Sequence, residues 1–251
     1  MGATLRKRYA VVSCHVERPL DDDAWERFSA LQARKPGGFT IAALMRPADA
    51  SFGEDETVWL ARARKAAGRG ALGHHTHWTT PDHARPTADG AGARVLAEGT
   101  HLRDLGLEPA LFCGGGWYTD TDVAEACAEL GYVDCTPRAG RPSYLPRSAQ
   151  WASLQAPARI RLPSGRALPS IPTTHSVGDL TRALARRSLP EIVHLYFHDT
   201  DLLDRRRRTL LRMLLPLLAR VAEPTDFLAL AGEVAETAPE TPWSDLARPS
   251  L

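Results

Sequence analysis

The stretch Tyr9-Ala10-Val11-Val12-Ser13-Cys14-His15-Val16-Glu17 is apolar and β-branched through Cys14, then turns polar at His15 and Glu17. Tyr9 to Cys14 has the length and composition of a buried strand. The same change from apolar run to polar terminus recurs along the chain. Ala71 to His77 leads into His74-His75-Thr76-His77-Trp78, Ile171 to His175 ends in Thr174-His175, and Ile192 to His198 ends in Phe197-His198-Asp199. In an α/β fold such strand ends converge on one crevice, where ligands and catalytic groups gather. Imidazole binds divalent metals and moves protons near neutral pH. Histidines delivered to one rim predict an enzyme.

Between these runs the pattern alternates. Asp21-Asp22-Asp23 offers an N-cap and first-turn carboxylates for a helix to about Ala33. Phe39 to Met45 reads as the second strand and Glu54 to Ala67 as the second helix. After the third strand, Thr79 to Gly90 is a polar loop with Pro81 and Pro86. A helix from about Ala93 to Leu105 precedes a short strand, Ala110 to Cys113, and the turn Gly114-Gly115-Gly116. Asp120 to Leu130 is helical, and Tyr132 to Thr136 is a strand. Residues 137–170 are expected to form loops with a hairpin around Ser164-Gly165. A helix from Val177 to Arg187 leads to the last histidine-bearing strand. Leu202 to Val221 reads as a long amphipathic helix kinked at Pro216, Phe227 to Leu230 as one last strand, and 237–251 as a frayed tail. Alternation without a linker argues for one domain over 1–251, a parallel barrel or doubly wound sheet.

The chain has 251 residues, 43% of them hydrophobic and 24% charged, ordinary for a soluble globular protein with a sizeable core. A net charge of +1 gives no reason to expect nucleic acid or an anionic membrane as partner. The four cysteines show no Cys-x-x-Cys spacing, so neither a zinc ribbon nor a redox pair is suggested. The apolar stretch after Arg8 is too short and polar for a signal peptide or membrane span, and a cytoplasmic location is the expectation.

His75 and His77, spaced i, i+2, share one face of an extended chain, which suits two imidazoles on one metal ion. A further ligand is needed, and Glu17, or His15 beside it, is the candidate. The alternative is a histidine-rich loop of hydrogen-bonded rings without metal. His198 is the candidate general acid, with Asp199 either aiding it or capping the following helix. His194 shares the parity of His198 but lies about 13 Å lower on the strand, in the core. In Phe112-Cys113-Gly114-Gly115-Gly116-Trp117-Tyr118 the spacing fits neither a phosphate loop nor a dinucleotide fingerprint. The three glycines, Gly115 among them, would let the backbone approach a ligand or offer N–H groups to an oxyanion, and Cys113 beside them is a further candidate substrate contact without an evident His partner to make it a nucleophile. Trp78, Trp117 and Tyr118 would stack on a sugar ring or simply cover the mouth. Asp134 and His175, at further strand ends, complete the candidate substrate contacts.

Taken in order, Val12-Ser13-Cys14-His15-Val16-Glu17, Gly73-His74-His75-Thr76-His77, Phe112 to Tyr118 and Tyr196-Phe197-His198-Asp199 resemble the motifs of the NodB-type polysaccharide deacetylases, carbohydrate esterase family four. The resemblance spans roughly residues 9–230. It implies a distorted (β/α)7 barrel, a divalent metal (Zn, or Co, Ni or Mn) and removal of an N-acyl group from a carbohydrate or related small amide. It departs from the family's pattern at three places. His15 stands where the family has its catalytic-base aspartate, leaving Glu17 as the nearby carboxylate. No His-x-x-x-His is present, and Cys113 replaces an arginine. His198 matches the family's acid. The competing expectation is a metal-free descendant, a carbohydrate-binding or scaffold module.

Overall fold

The first four strands are short and mostly apolar and alternate with helices, most of which open on a carboxylate cap, and the first half of the fold follows from that alternation. The computed structural model describes residues 7–78, 89–142, 145 and 149–248. In chain order the elements are β1 (Tyr9–Val16), α1 (Asp22–Arg34), β2 (Ile41–Met45), α2 (Glu56–Ala67), β3 (Leu72–Thr76), α3 (Ala91–Asp104), β4 (Leu111–Gly114), α4 (Thr121–Glu129) and β5 (Val133–Asp134). There follow β6 (Trp151–Ala152), β7 (Ala158–Arg161), β8 (Ala167–Ser170), α5 (Val177–Arg186), β9 (Ile192–His198), α6 (Arg205–Leu218), β10 (Glu223–Pro224), α7 (Phe227–Thr237), β11 (Glu240–Pro242), α8 (Trp243–Leu246) and β12 (Ala247–Arg248). Asp21, Asp55, Asp120, Asp204 and Asp226 each accept a backbone N–H at a helix start, satisfying donors the helix itself cannot.

The protein is a mixed α/β fold around a central parallel sheet. Strands β1 to β5 pair in sequence order and in parallel, and β9 pairs with the other edge of β1. β8 continues the sheet in parallel beside β5 and turns antiparallel against β7, the hairpin expected around Ser164-Gly165. The chain after β8 reaches β9 through a single bridge, His175 to Leu195, so the named strands do not form a continuous closed ladder.

Strand parity sorts the side chains. Ala10, Val12, Cys14 and Val16 of β1 join Phe28, Trp59 and Phe197 in the core under the helices. Val11, on the opposite face, joins Leu44, Leu111, Cys113 and Val133 in the core enclosed by the sheet. Ser13 faces His194, Oγ to Nε2 2.8 Å, on that same inner side. The next inner positions of β1 and the residue after it are His15 and Glu17. A period of two therefore carries both groups upward along the inner wall.

The observed elements correct several expectations. Phe227 to Leu230 opens helix α7, because Asp226 caps it and its apolar run continues at helical spacing through Ala231 and Val234. The long helix starts at Arg205, since residues 199–202 form a 3₁₀ turn, and Pro216 lies in its last turn. The segment from 237 is not frayed through Arg248: β11 pairs with β7, and Trp243 and Leu246 are buried. Ile171 to His175 is extended but held by isolated bridges. Most of the expected loop Thr79 to Gly90, with Pro81 and Pro86, lies outside the described residues. Among the described residues no helix is long and apolar enough to cross a membrane.

Candidate active site

Glu17 follows the last residue of β1 and is clamped from both sides. The buried Arg46 donates Nε–H to its carbonyl at 3.0 Å, and the next amide, Arg18, donates to Asp199 Oδ2 at 2.8 Å. Arg46 is itself fixed by two bonds to Glu54, at 2.7 and 2.6 Å. The Glu17 carboxylate thus has a defined position, and three imidazoles surround one of its oxygens. Nε2 of His198, His77 and His75 lie 3.6, 3.7 and 3.8 Å from Oε1.

The expected i, i+2 geometry of His75 and His77 is present, with ring centroids 5.0 Å apart. His75 donates Nδ1–H to the Cys113 carbonyl at 2.7 Å, because a carbonyl can only accept. In the neutral ring that leaves a lone pair on Nε2, which is buried, has no hydrogen-bond partner and faces a carboxylate. Two acceptors facing each other are reconciled by a proton or a metal cation between them. Ligand atoms of Glu17, His75 and His77 all lie within 4.8 Å of one another. A tetrahedral zinc site with bonds near 2.0 Å has ligand edges of roughly 3.4 Å, so small side-chain movements would complete it. The residues fit a divalent metal, and the Nδ1–H···O=C bond is the outer-shell contact a ligating histidine ordinarily makes.

A second group, His15, His75 and Cys113, is also close enough to share an ion. Its chemistry is poorer. Burial pushes the Cys113 thiol far above its ordinary range, and nearby Asp134 adds to this, so the sulfur keeps its proton. At Glu17 burial raises the carboxyl, but His75, His77 and the charge on His198 outweigh it and hold it far below the usual carboxylate range. The set containing Glu17 already carries the negative charge a cation needs.

His15 lies one inner position below Glu17, its ring 4.7 Å from His75 and 5.2 Å from His198. Burial, then repulsion from those two rings, pushes it well below the ordinary imidazole range, and it is neutral. His198 behaves oppositely. Burial lowers it, but the Asp201 carboxylate, which accepts from it, and the charge on Glu17 raise it on balance. Its side chain is 27% exposed, which gives it solvent contact.

Several expected contacts are placed elsewhere. Asp199 does not orient His198: its oxygens accept from the amides of Arg18 and Thr200, and it locks the start of the β1 loop to the end of β9. The residue that reaches His198 is Asp201, whose Oδ2 accepts the His198 amide at 3.0 Å and lies 3.8 Å from Nδ1. The 3₁₀ turn over 199–202 brings it back. Asp134 sits opposite Phe112 in register, hence on the outer face, where Oδ1 holds the Thr136 amide. Trp78 and Tyr118 are core rather than stacking platforms. Trp78 Nε1 donates to the Gly115 carbonyl at 2.8 Å, and Tyr118 Oη donates to Asp120. Gly115 is occupied by that bond. A Cβ on Gly114 would stand 2.3 Å from the Tyr118 carbonyl, so the glycine there serves the turn itself. Cys113 contributes its carbonyl, not its sulfur. His175 engages Thr174, with Nδ1 2.7 Å from Oγ1.

Trp117 is the member of the glycine-rich turn that reaches the site. It adopts φ of +56°, an arrangement costing a non-glycine residue about 1–2 kcal/mol, and its ring lies 5.5 Å from His15 and 6.3 Å from His198. Tyr196, inside β9 at the parity of His198, packs edge-on to Trp117 at 4.8 Å. Arg138 lies over both rings, 4.6 Å from Trp117 and 5.3 Å from Tyr196. Sequence reasoning missed Arg46, Arg138, Tyr196 and Asp201. For Tyr196 alone a signal was available, its i, i−2 spacing from His198.

No family model matches the chain, and no curated protein matches it. Among solved structures it is similar to the 4-alpha-glucanotransferase from Thermococcus litoralis, with a TM-score of 0.58 and 11% identity, over 95% of this chain. The chain spans 42% of that structure's length, and at this identity the likeness shows the fold alone.

Proposed function

We propose that the chain is a divergent NodB-type barrel, a metal-dependent hydrolase that removes an N-acyl group from a carbohydrate or related small amide. The observation carrying this reading is the lone pair of His75 Nε2 facing the Glu17 carboxylate beside His77. Glu17, His75 and His77 would hold a divalent cation, zinc suiting the mixed nitrogen and oxygen donors. A cation there would supply Lewis acidity toward an acyl carbonyl and acidify a bound water.

The chain's own residues supply the rest. His198, tied through Asp201, holds a proton at Nε2 on the open side of Glu17 and is placed to protonate a leaving amine. His15, neutral beside the cluster and with no hydrogen-bond partner on its buried Nε2, would take the proton released by water, a transfer that its lowered basicity makes dependent on the cation acidifying that water. Trp117 and Tyr196 wall the cluster and limit water around it.

The test is elemental analysis of purified wild type, His75→Ala and His77→Ala. About one divalent metal per chain, absent from both variants, and hydrolysis of an N-acetyl sugar that stops with chelator, are the expected results. No metal after reconstitution with excess ion sinks the proposal and leaves the binding-module alternative.

A further inference from the structure

Among the described residues, Arg138 is a half-buried cation beside the histidine cluster with no carboxylate paired to it. Its backbone is rigidly placed: its N–H donates to the Ala152 carbonyl at 3.1 Å, and its carbonyl accepts from Leu154 at 3.0 Å. The adjacent Pro137 carbonyl accepts from Thr173 at 2.9 Å. The guanidinium lies half-buried over the rings of Trp117 and Tyr196. Its side-chain hydrogen bond is a long one, 3.4 Å to the neutral Tyr196 hydroxyl. No carboxylate among the described residues lies within ion-pair distance of it. The carboxylate whose charge acts on its neighbours His175 and Tyr196 is Asp179. That carboxylate is already held by Ser176 Oγ at 2.7 Å and Arg182 at 2.6 Å. A partly desolvated charge is ordinarily paired. The titratable groups around Arg138 carry no negative charge to offset it: burial keeps the Cys113 thiol and Tyr196 phenol protonated, and holds His175 and His194 below the ordinary imidazole range.

Arginine stacked on aromatic faces, with its fork of donors turned outward, is suited to a carboxylate or phosphate. The Trp117 and Tyr196 rings each contact both the guanidinium, at 4.6 and 5.3 Å, and the His15 and His198 rings, at 5.4 to 6.3 Å. A group bound at Arg138 therefore sits within the span of one small substrate from the proposed metal ligands.

We propose that Arg138 receives an acid group of the substrate, so that the compound processed is an N-acylated sugar or small amide that also carries a carboxylate or phosphate. The proposal rests on the hydrolase reading for the identity of the acyl compound, but the anion site is tested without turnover. Calorimetric titration of metal-stripped and metal-loaded protein would use N-acetylmuramate, N-acetylglucosamine 6-phosphate and neutral N-acetylglucosamine. At least one anionic probe is expected to bind roughly tenfold or more tightly than the neutral one. Which anionic probe shows this tells carboxylate from phosphate. Arg138→Gln should erase the preference and leave neutral binding in place, while Arg138→Lys keeps part of it. Should Arg138→Gln fail to fold, Arg138→Lys decides: a reduced preference supports the site, and an unaltered one overturns it. Equal affinity of wild type for all three probes, no binding of either anion in the millimolar range, or a preference surviving in Arg138→Gln also overturns it. Anion preference without hydrolysis would sink the hydrolase and leave this site standing. Hydrolysis of the neutral probe with no dependence on Arg138 would do the reverse.

Discussion

His75 donates its Nδ1 proton to the Cys113 carbonyl, and that single bond between neighbouring strands fixes which nitrogen faces Glu17. Nitrogen NMR at neutral pH should find His75 protonated on Nδ1 and bare on Nε2. Adding zinc should shift the Nε2 resonance and leave the Nδ1 proton in place. A ring carrying its proton on Nε2 would contradict the ligand geometry.

Asp201 and Asp199 are distinguished by what they hold. Asp201 lies 3.8 Å from His198 Nδ1 and is drawn down to about 2: burial raises it, but the His198 hydrogen bonds outweigh that. Asp201→Asn should lower kcat by about tenfold to hundredfold with little change in KM. Because Asp201 raises the His198 imidazole, the variant's loss of activity on the alkaline side should move to lower pH. Asp199→Asn should instead reduce stability and move that limb less than Asp201→Asn does, since the Asp199 charge is the smallest of those that raise His198.

Arg46 and Glu54 form a buried two-point pair, with side chains 5% and 17% exposed. Glu54→Ala leaves the guanidinium without its counter-charge and should cost about 3 kcal/mol in urea unfolding. Since Arg46 also holds the Glu17 carbonyl, zinc affinity should fall in the same variant. Unchanged affinity would show that Glu17 is positioned from elsewhere.

Asp134 gives a pH dependence of stability unrelated to catalysis. Burial raises its carboxyl to about 6, against the partial offset of the Thr136 hydrogen bonds. The folded chain therefore keeps a proton that the unfolded chain releases near pH 4. Stability should decline as pH rises from 4 to 6 and then level off, by about 3 kcal/mol from this group. Asp134→Asn should match wild type near pH 4 and exceed it above pH 6. A gain equal at both values would refute the assignment.

Strands buried on both faces were legible in the sequence, and Ile192–His198 has the expected bounds because its apolar run is uninterrupted. Phe227 to Leu230 was not, since a short apolar run fits either period and only the Asp226 cap tips it toward helix. In the site, His75, His77, Glu17 and His198 followed from parity along single strands. Their partners depend on turns: Asp199 is the expected neighbour of His198, and only the 3₁₀ turn over 199–202 brings Asp201 there instead. Arg138 lies in a segment without periodicity, and nothing local links it to Trp117. Trp78 and Tyr118 show the opposite failure, being aromatic residues at a mouth-like position that the glycine-rich turn draws into the core.

The two-residue alternation along β1 also sets which length changes the chain can tolerate. Deleting one residue between Tyr9 and Glu17 would turn Glu17 and His15 toward α1 and set Val16 and Cys14 among the histidines. Deleting two would keep the facing and slide both groups along the wall by about 7 Å. Insertions and deletions upstream of the rim are therefore filtered in even steps, whereas the loop beyond Arg18 is free of that arithmetic.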